Sequence, residues 1–296
     1  MSIATILFPD FALILLGFLL MRFTDWGTPF WSGLEKLIYY FLFPALLFYS
    51  TARTPFDFAT TGKMLQVALL TLTGGIALGW LAKPLFTVPP MMFESGVQTA
   101  FRFNSYIALA IASRLAGEKG TTLMALIIGF AVPLCNMAAV HALVSKGGGL
   151  LKEMVRNPLL MATASGMAFN FAGLQIPEIV GATLSRMANA SIAVGLIAVG
   201  AGLRMSGLRE AKGMALYFTA VKLLALPAIA LMLGRWMGLP ALQLQIVVMF
   251  AALPTASSAY VLAARMGGNG PFVAFLISGG TVLSALTLPI WLSLSR

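Results

Sequence analysis

Charge is scarce in this chain. Of its 296 residues only 9% are Asp, Glu, Lys or Arg, against roughly 25% in soluble domains. That shortage excludes an ordinary water-soluble fold. Cysteine and histidine are scarcer still, at one each. A lone Cys135 excludes an intramolecular disulfide and a cysteine metal cage, and reads as a small packing residue. A lone His141 lacks the second histidine or the serine partner that catalytic and metal-binding arrangements need, and reads as structural. Acid is sparse, with 9 Asp and Glu against 19 Lys and Arg, and no paired Asp-rich motif suits a metal–diphosphate. The basic excess forms no patch, so nucleic acid is not an expected partner. No charged leader with a small-residue cleavage site precedes the first apolar run, so no removable signal peptide is expected.

Apolar sequence is abundant, at 59%. It is arranged in ten long runs: about 4–22, 34–51, 63–82, 94–114, 121–144, 158–173, 186–203, 212–233, 241–265 and 271–293. A bilayer core takes roughly 20 apolar residues per helix, so the expectation is an all-α polytopic membrane protein with ten spans. The longest break, Ser145–Asn157, holds Gly147-Gly148-Gly149 with Lys146, Lys152 and Arg156, and reads as a linker between halves. Domain expectations follow: 1–146, a first five-span repeat; 147–157, a cytoplasmic linker; 158–296, a second five-span repeat.

The halves are faintly alike. Pro9 and Gly17 match Pro158 and Gly166 at the same spacing, and Lys63 and Lys212 open corresponding runs. An odd number of spans per repeat makes the second half enter from the opposite side, so the repeat is inverted. The loop lysines and arginines, Lys146, Lys152, Arg156, Arg204 and Arg209 among them, favour a cytoplasmic linker with both termini outside. The expected location is the inner (plasma) membrane.

Two runs carry polar interruptions at matching places in their halves. Residues 100–106 read A-F-R-F-N-S-Y, and residues 253–260 read L-P-T-A-S-S-A-Y. Paired interruptions are the best sequence pointer to a transporter's binding site. Arg102 and Lys222 lie mid-span with no carboxylate at comparable depth, which suits an anionic solute; the alternative is a cation that staples free carbonyls of a broken helix. Asn104 and Asn136 can serve substrate or backbone, or can form interhelical hydrogen bonds. Asn189 is better read as interhelical, and its sequon with Ser191 abuts a span. Pro254 cannot donate a backbone bond. Thr255, Ser257 and Ser258 can then meet a ligand or repair the helix. Pro44, Pro133, Pro227 and Pro289 read as kinks.

Several stretches carry a family likeness. They include residues 35–48 (E-K-L-I-Y-Y-F-L-F-P-A-L-L-F), Phe101-Arg-Phe-Asn104, Gly117-Glu118, Arg156-Asn-Pro158, Gly200-Ala-Gly-Leu203, Lys222 with Pro227, and residues 253–263. On these the chain resembles the auxin efflux carrier family in its bacterial branch. The resemblance implies two inverted five-span repeats, related in fold to sodium–bile-acid symporters, with the fourth and ninth spans broken and crossing at mid-membrane. It places substrate at that crossing, with Asn104 and the Pro254 stretch as the two crossing points. Members export auxin or move small carboxylates such as malate or malonate. The long cytoplasmic loop after the fifth span is missing here, which favours a bacterial carrier.

The function expected is a secondary carrier for a small organic anion, working by alternating access, not an enzyme. A sodium-coupled symporter and a non-transporting sensor are the alternatives. No cofactor or metal is expected, and coupling to sodium or protons stays open. The expected partners are the anion and the lipid bilayer, with a homodimer left open.

Overall fold

Prolines decide where several of the apolar runs start as helices. The computed structural model describes residues 3–53, 58–143, 158–202, 211–256 and 258–296, and among them every regular element is helical. The chain opens with α1 (Ile3–Phe23), then α2 (Gly27–Leu37) and α3 (Phe43–Arg53) joined by a π-turn at Ile38–Leu42. α4 (Phe58–Leu85) and α5 (Pro90–Gly96) follow, and α5 ends in a 3₁₀ turn at Val97–Ala100. α6 runs Ser105–Leu143. The second half has α7 (Pro158–Phe171), α8 (Glu178–Ala201), α9 (Lys212–Ala220), a π-turn at Val221–Ala225, α10 (Leu226–Trp236), α11 (Ala241–Ala252), α12 (Ser258–Arg265) and α13 (Gly270–Leu294). Pro89, Pro177 and Pro240 stand immediately before α5, α8 and α11, where a missing N–H costs no helical bond. Gly238 closes α10 at φ +66°, with the Leu239 N–H donating to Gly234 O; a left-handed cap of this kind suits glycine.

Among the described residues, five helical stretches are long and apolar enough to cross a membrane: Thr61–Leu85, Lys119–Leu143, Glu178–Ala198, Lys212–Trp236 and Gly270–Leu294. Of the other expected spans, the first and sixth are the continuous helices α1 and α7, and the rest are interrupted. The fourth and ninth stop midway, at Ala100 and Ala252. The later part of the fourth run and the fifth run are two helical arms of α6 that meet at a non-helical turn, Ala116–Gly117, where Gly117 has φ +56°. The seventh run forms α8, which starts at Glu178, ahead of the expected 186, and continues through Arg186. The expected linker, 147–157, lies outside the described residues. Large apolar side chains such as Phe23, Ile179, Leu216, Trp236 and Leu286 are exposed, an exterior suited to lipid.

Pro44 and Pro227 do more than kink. Each sits just past a π-turn. Proline withholds a donor and its ring crowds the preceding turn, and the wider π-turn relieves both. Lys222 lies within the second of these turns.

In one group α3 packs on α7 and α8, and α1 and α2 pack on α8; α4, α5 and α9–α13 form the other, and α6 packs against both. The matched glycines explain part of the first group. A Cβ at Gly17 would lie 1.9 Å from Ile197 O on α8, and one at Gly166 would lie 2.1 Å from Thr51 Oγ1 and 2.9 Å from Phe48 O on α3. Each glycine lets its helix touch a partner from the other half. Small residues are what allow helix backbones to approach this closely in a membrane.

Candidate functional site at the helix crossing

Where α5 and α11 stop, their chains meet. The Asn104 N–H donates to Pro254 O at 2.8 Å, and the Thr255 hydroxyl donates to Thr99 O at 2.8 Å. The Gln98 side-chain amide donates to Ala259 O at 3.2 Å. Unwound backbone is tolerated at membrane depth only where such partners replace the lost helical bonds. Here each break supplies partners for the other. Phe103 and Phe250 pack edge-on beside the junction, with ring centroids 4.7 Å apart.

Four helix ends converge. α6 and α12 begin here, at Ser105 and Ser258, and present N–H groups and positive dipole ends; the Val97–Ala100 turn and α11 end here and present carbonyls. Asn104 caps α6: its Oδ1 accepts from the N–H groups of Tyr106 (3.0 Å) and Ile107 (3.2 Å). Its Nδ2 is fully buried and has no hydrogen-bond partner. A buried donor left unmade costs about 1–3 kcal/mol, so it calls for a reason.

The two cations are placed differently. Arg102 is buried and spans the crossing, donating from Nη1 to Gln98 Oε1 (3.3 Å) and from Nη2 to Ser258 Oγ (3.0 Å). Lys222 Nζ donates to Ala251 O at 2.9 Å, at the C-terminal end of α11. Among the described residues, no aspartate or glutamate is buried. Cys135 is buried, its Sγ 3.8 Å from Phe101 O. A space of about 10 Å³ beside Lys222, lined in part by Thr99, Thr219 and Thr255, has room for roughly one water.

The structure therefore gathers Arg102, Asn104, Lys222, Pro254, Thr255 and Ser258 at one place. Asn136 is buried on the second arm of α6, but no described hydrogen bond ties it to these six. Ser257 lies outside the described residues. His141 sits apart, its ring 5.8 Å from that of Trp80. Sequence reasoning missed Gln98 and Thr99, which brace the crossing. A wider apolar groove of about 580 Å³ opens beside the second π-turn. It offers an anion nothing, since the Tyr217 hydroxyl is committed to Leu78 O and the Trp291 Nε1 to Leu223 O.

The family model described as membrane transport protein matches residues 143–292. The chain belongs to this family, that of the auxin efflux carriers. Its similarity to individual members runs the length of the chain. An uncharacterized transporter of Methanothermobacter thermautotrophicus is 26% identical over 294 residues, covering 94% of both chains. A putative malonate transporter of Rhizobium meliloti is 26% identical over 311 residues, covering all of this chain and 96% of that one. The uncharacterized transporter YfdV of Escherichia coli K12 is 23% identical over 306 residues, covering 98% and 96%. Within the auxin efflux carrier family, a cationic crossing of broken helices is thus carried by a membrane transporter chain.

Proposed function

We propose that this protein is a secondary carrier for a small carboxylate. It has ten spans in two inverted five-span repeats and binds its substrate at the crossing. The observation that carries the reading is the buried, unpartnered Asn104 amide donor, set where two helix N-termini meet. A carboxylate there gains donors from Asn104 and attraction from the dipole ends and the nearby cations. The matched roles of Gly17 and Gly166 support the repeat. The space of about 10 Å³ at Lys222 is too small for a carboxylate, so loading requires the two helix groups to part, as alternating access demands.

Uptake into proteoliposomes tests this. Malonate is the first probe, prompted by the name of the Rhizobium meliloti relative, and malate the second. The expected result is saturable uptake of at least one small dicarboxylate, with and without imposed sodium or proton gradients. Amide analogues of the same size should be excluded. Binding without uptake would favour a sensor, and neither binding nor uptake across a panel of carboxylates would sink the reading.

The same reading places the protein in the inner membrane with the linker in the cytoplasm. A Ser145→Cys variant should then react with an impermeant thiol reagent only after the cells are opened. Cys135 is buried and contributes little background. Labelling in intact cells would reverse the orientation.

A further inference from the structure

The two carbonyl ends at the crossing are satisfied by unlike donors. Thr99 O, beside the end of the first break, accepts a neutral hydroxyl from Thr255. Ala251 O, at the end of α11, accepts from the Lys222 ammonium. At the offset that relates Lys63 to Lys212, Lys222 falls against Thr73, an exposed residue whose hydroxyl bonds Leu69 O within its own helix, so the buried ammonium at this level is particular to the second half. Lys222 is nearly fully buried, on a π-turn that displaces the chain locally. Its ammonium meets the α11 carbonyl end at Ala251 O, and the neighbouring water-sized space is lined by Thr99, Thr219 and Thr255 together with Phe218, Leu223 and Leu276. Oxygen donors at a negative helix end are what a hard cation seeks.

We propose that Lys222 is a built-in monovalent cation. Its ammonium fills the place against Ala251 O at the α11 terminus that a free alkali cation would fill in a carrier coupled to one. The wild-type carrier then needs no such ion to hold the crossing closed or to balance an anionic substrate. This rests on the carrier reading, but half of its test does not.

The first measurement needs no substrate. Purified full-length protein is melted in sodium, potassium, lithium or N-methylglucamine chloride at equal ionic strength. Lys222→Ala opens the site, so one alkali cation should raise its melting temperature by roughly 2–4 °C over N-methylglucamine. Wild type should show no such selectivity. A folded Lys222→Ala protein indifferent to every cation overturns the proposal. The second measurement is uptake, with labelled malonate as the probe. In N-methylglucamine, Lys222→Ala should lose at least tenfold in rate, and the stabilising cation should restore several-fold. Lys222→Gln keeps a donor for Ala251 O without the charge, and it remains informative if the alanine variant does not fold. It too should lose at least tenfold, and uptake by Lys222→Gln at the wild-type rate overturns the proposal. If wild type moves no carboxylate, the carrier reading fails while the melting measurement still decides the cation site.

Discussion

Asn104→Asp is expected to weaken carboxylate binding on the order of 10²–10³-fold while keeping the cap of α6. Asn104 is committed at every atom but one. Its N–H donates to Pro254 O, its C=O accepts from the Ala108 N–H, and its Oδ1 caps α6. Only Nδ2 is left. Aspartate caps a helix about as well as asparagine, so the start of α6 keeps its acceptor. What changes is the remaining atom: a donor becomes part of a negative charge. Two unit charges about 4 Å apart repel by about 4 kcal/mol at an effective dielectric of 20. The lost charge-assisted bond adds about 1.5–3 kcal/mol. Arg102 and Lys222 offset part of this, so a loss in affinity on the order of 10²–10³-fold is expected. The melting temperature should fall, because the new carboxylate oxygen is buried without a donor, so affinity is read on protein that remains folded. Asn104→Ala provides the contrast, because it removes the donor and also the cap, at about 1 kcal/mol of stability. Both variants are measured by substrate saturation in the reconstituted carrier and by thermal unfolding. Wild-type affinity in Asn104→Asp would remove Asn104 from the site.

Asn104 was legible because an amide in an apolar run is costly and therefore conspicuous. The same holds for Arg102, Lys222 and the Pro254 stretch. Their mutual contact was inferable only from their matching places in the two halves. Gln98 and Thr99 were not legible. Thr99 contributes its backbone carbonyl, which no sequence advertises, and Gln98 is read as an ordinary polar residue until Ala259 is seen opposite it. The π-turns escaped for a related reason. Pro44 and Pro227 announce a disturbed helix, but whether the chain kinks or widens depends on the neighbours against which it packs. The glycines divide in the same way. The spacing shared by Gly17 and Gly166 was visible, whereas the backbones they press against belong to distant helices.

Those glycine contacts carry the second large effect. Gly17 on α1 and Gly200 on α8 are the two sides of one close approach. A Cβ at Gly17 would lie 1.9 Å from Ile197 O, and a Cβ at Gly200 would lie 1.8 Å from Ile14 O. In both cases the obstructing atom is backbone, so no rotamer change relieves it and the helices must separate. Lipid supplies no hydrophobic drive to hold them together, and association depends on this packing. Overpacking a well-fitted site costs about 1–3 kcal/mol, occasionally more, and the upper end is expected here. Gly17→Val and Gly200→Val should each lower the melting temperature by roughly 5–10 °C or give no monodisperse protein. Gly17→Ala and Gly200→Ala should be milder in the same direction. The paired variant should cost less than the two single costs combined, because one separation serves both substitutions. Gly33→Ala is the control: it lies in α2 with open space around it, and should be neutral or stabilising by up to about 1 kcal/mol. If both valine variants melt within about 1 °C of wild type, α1 and α8 do not pack backbone to backbone.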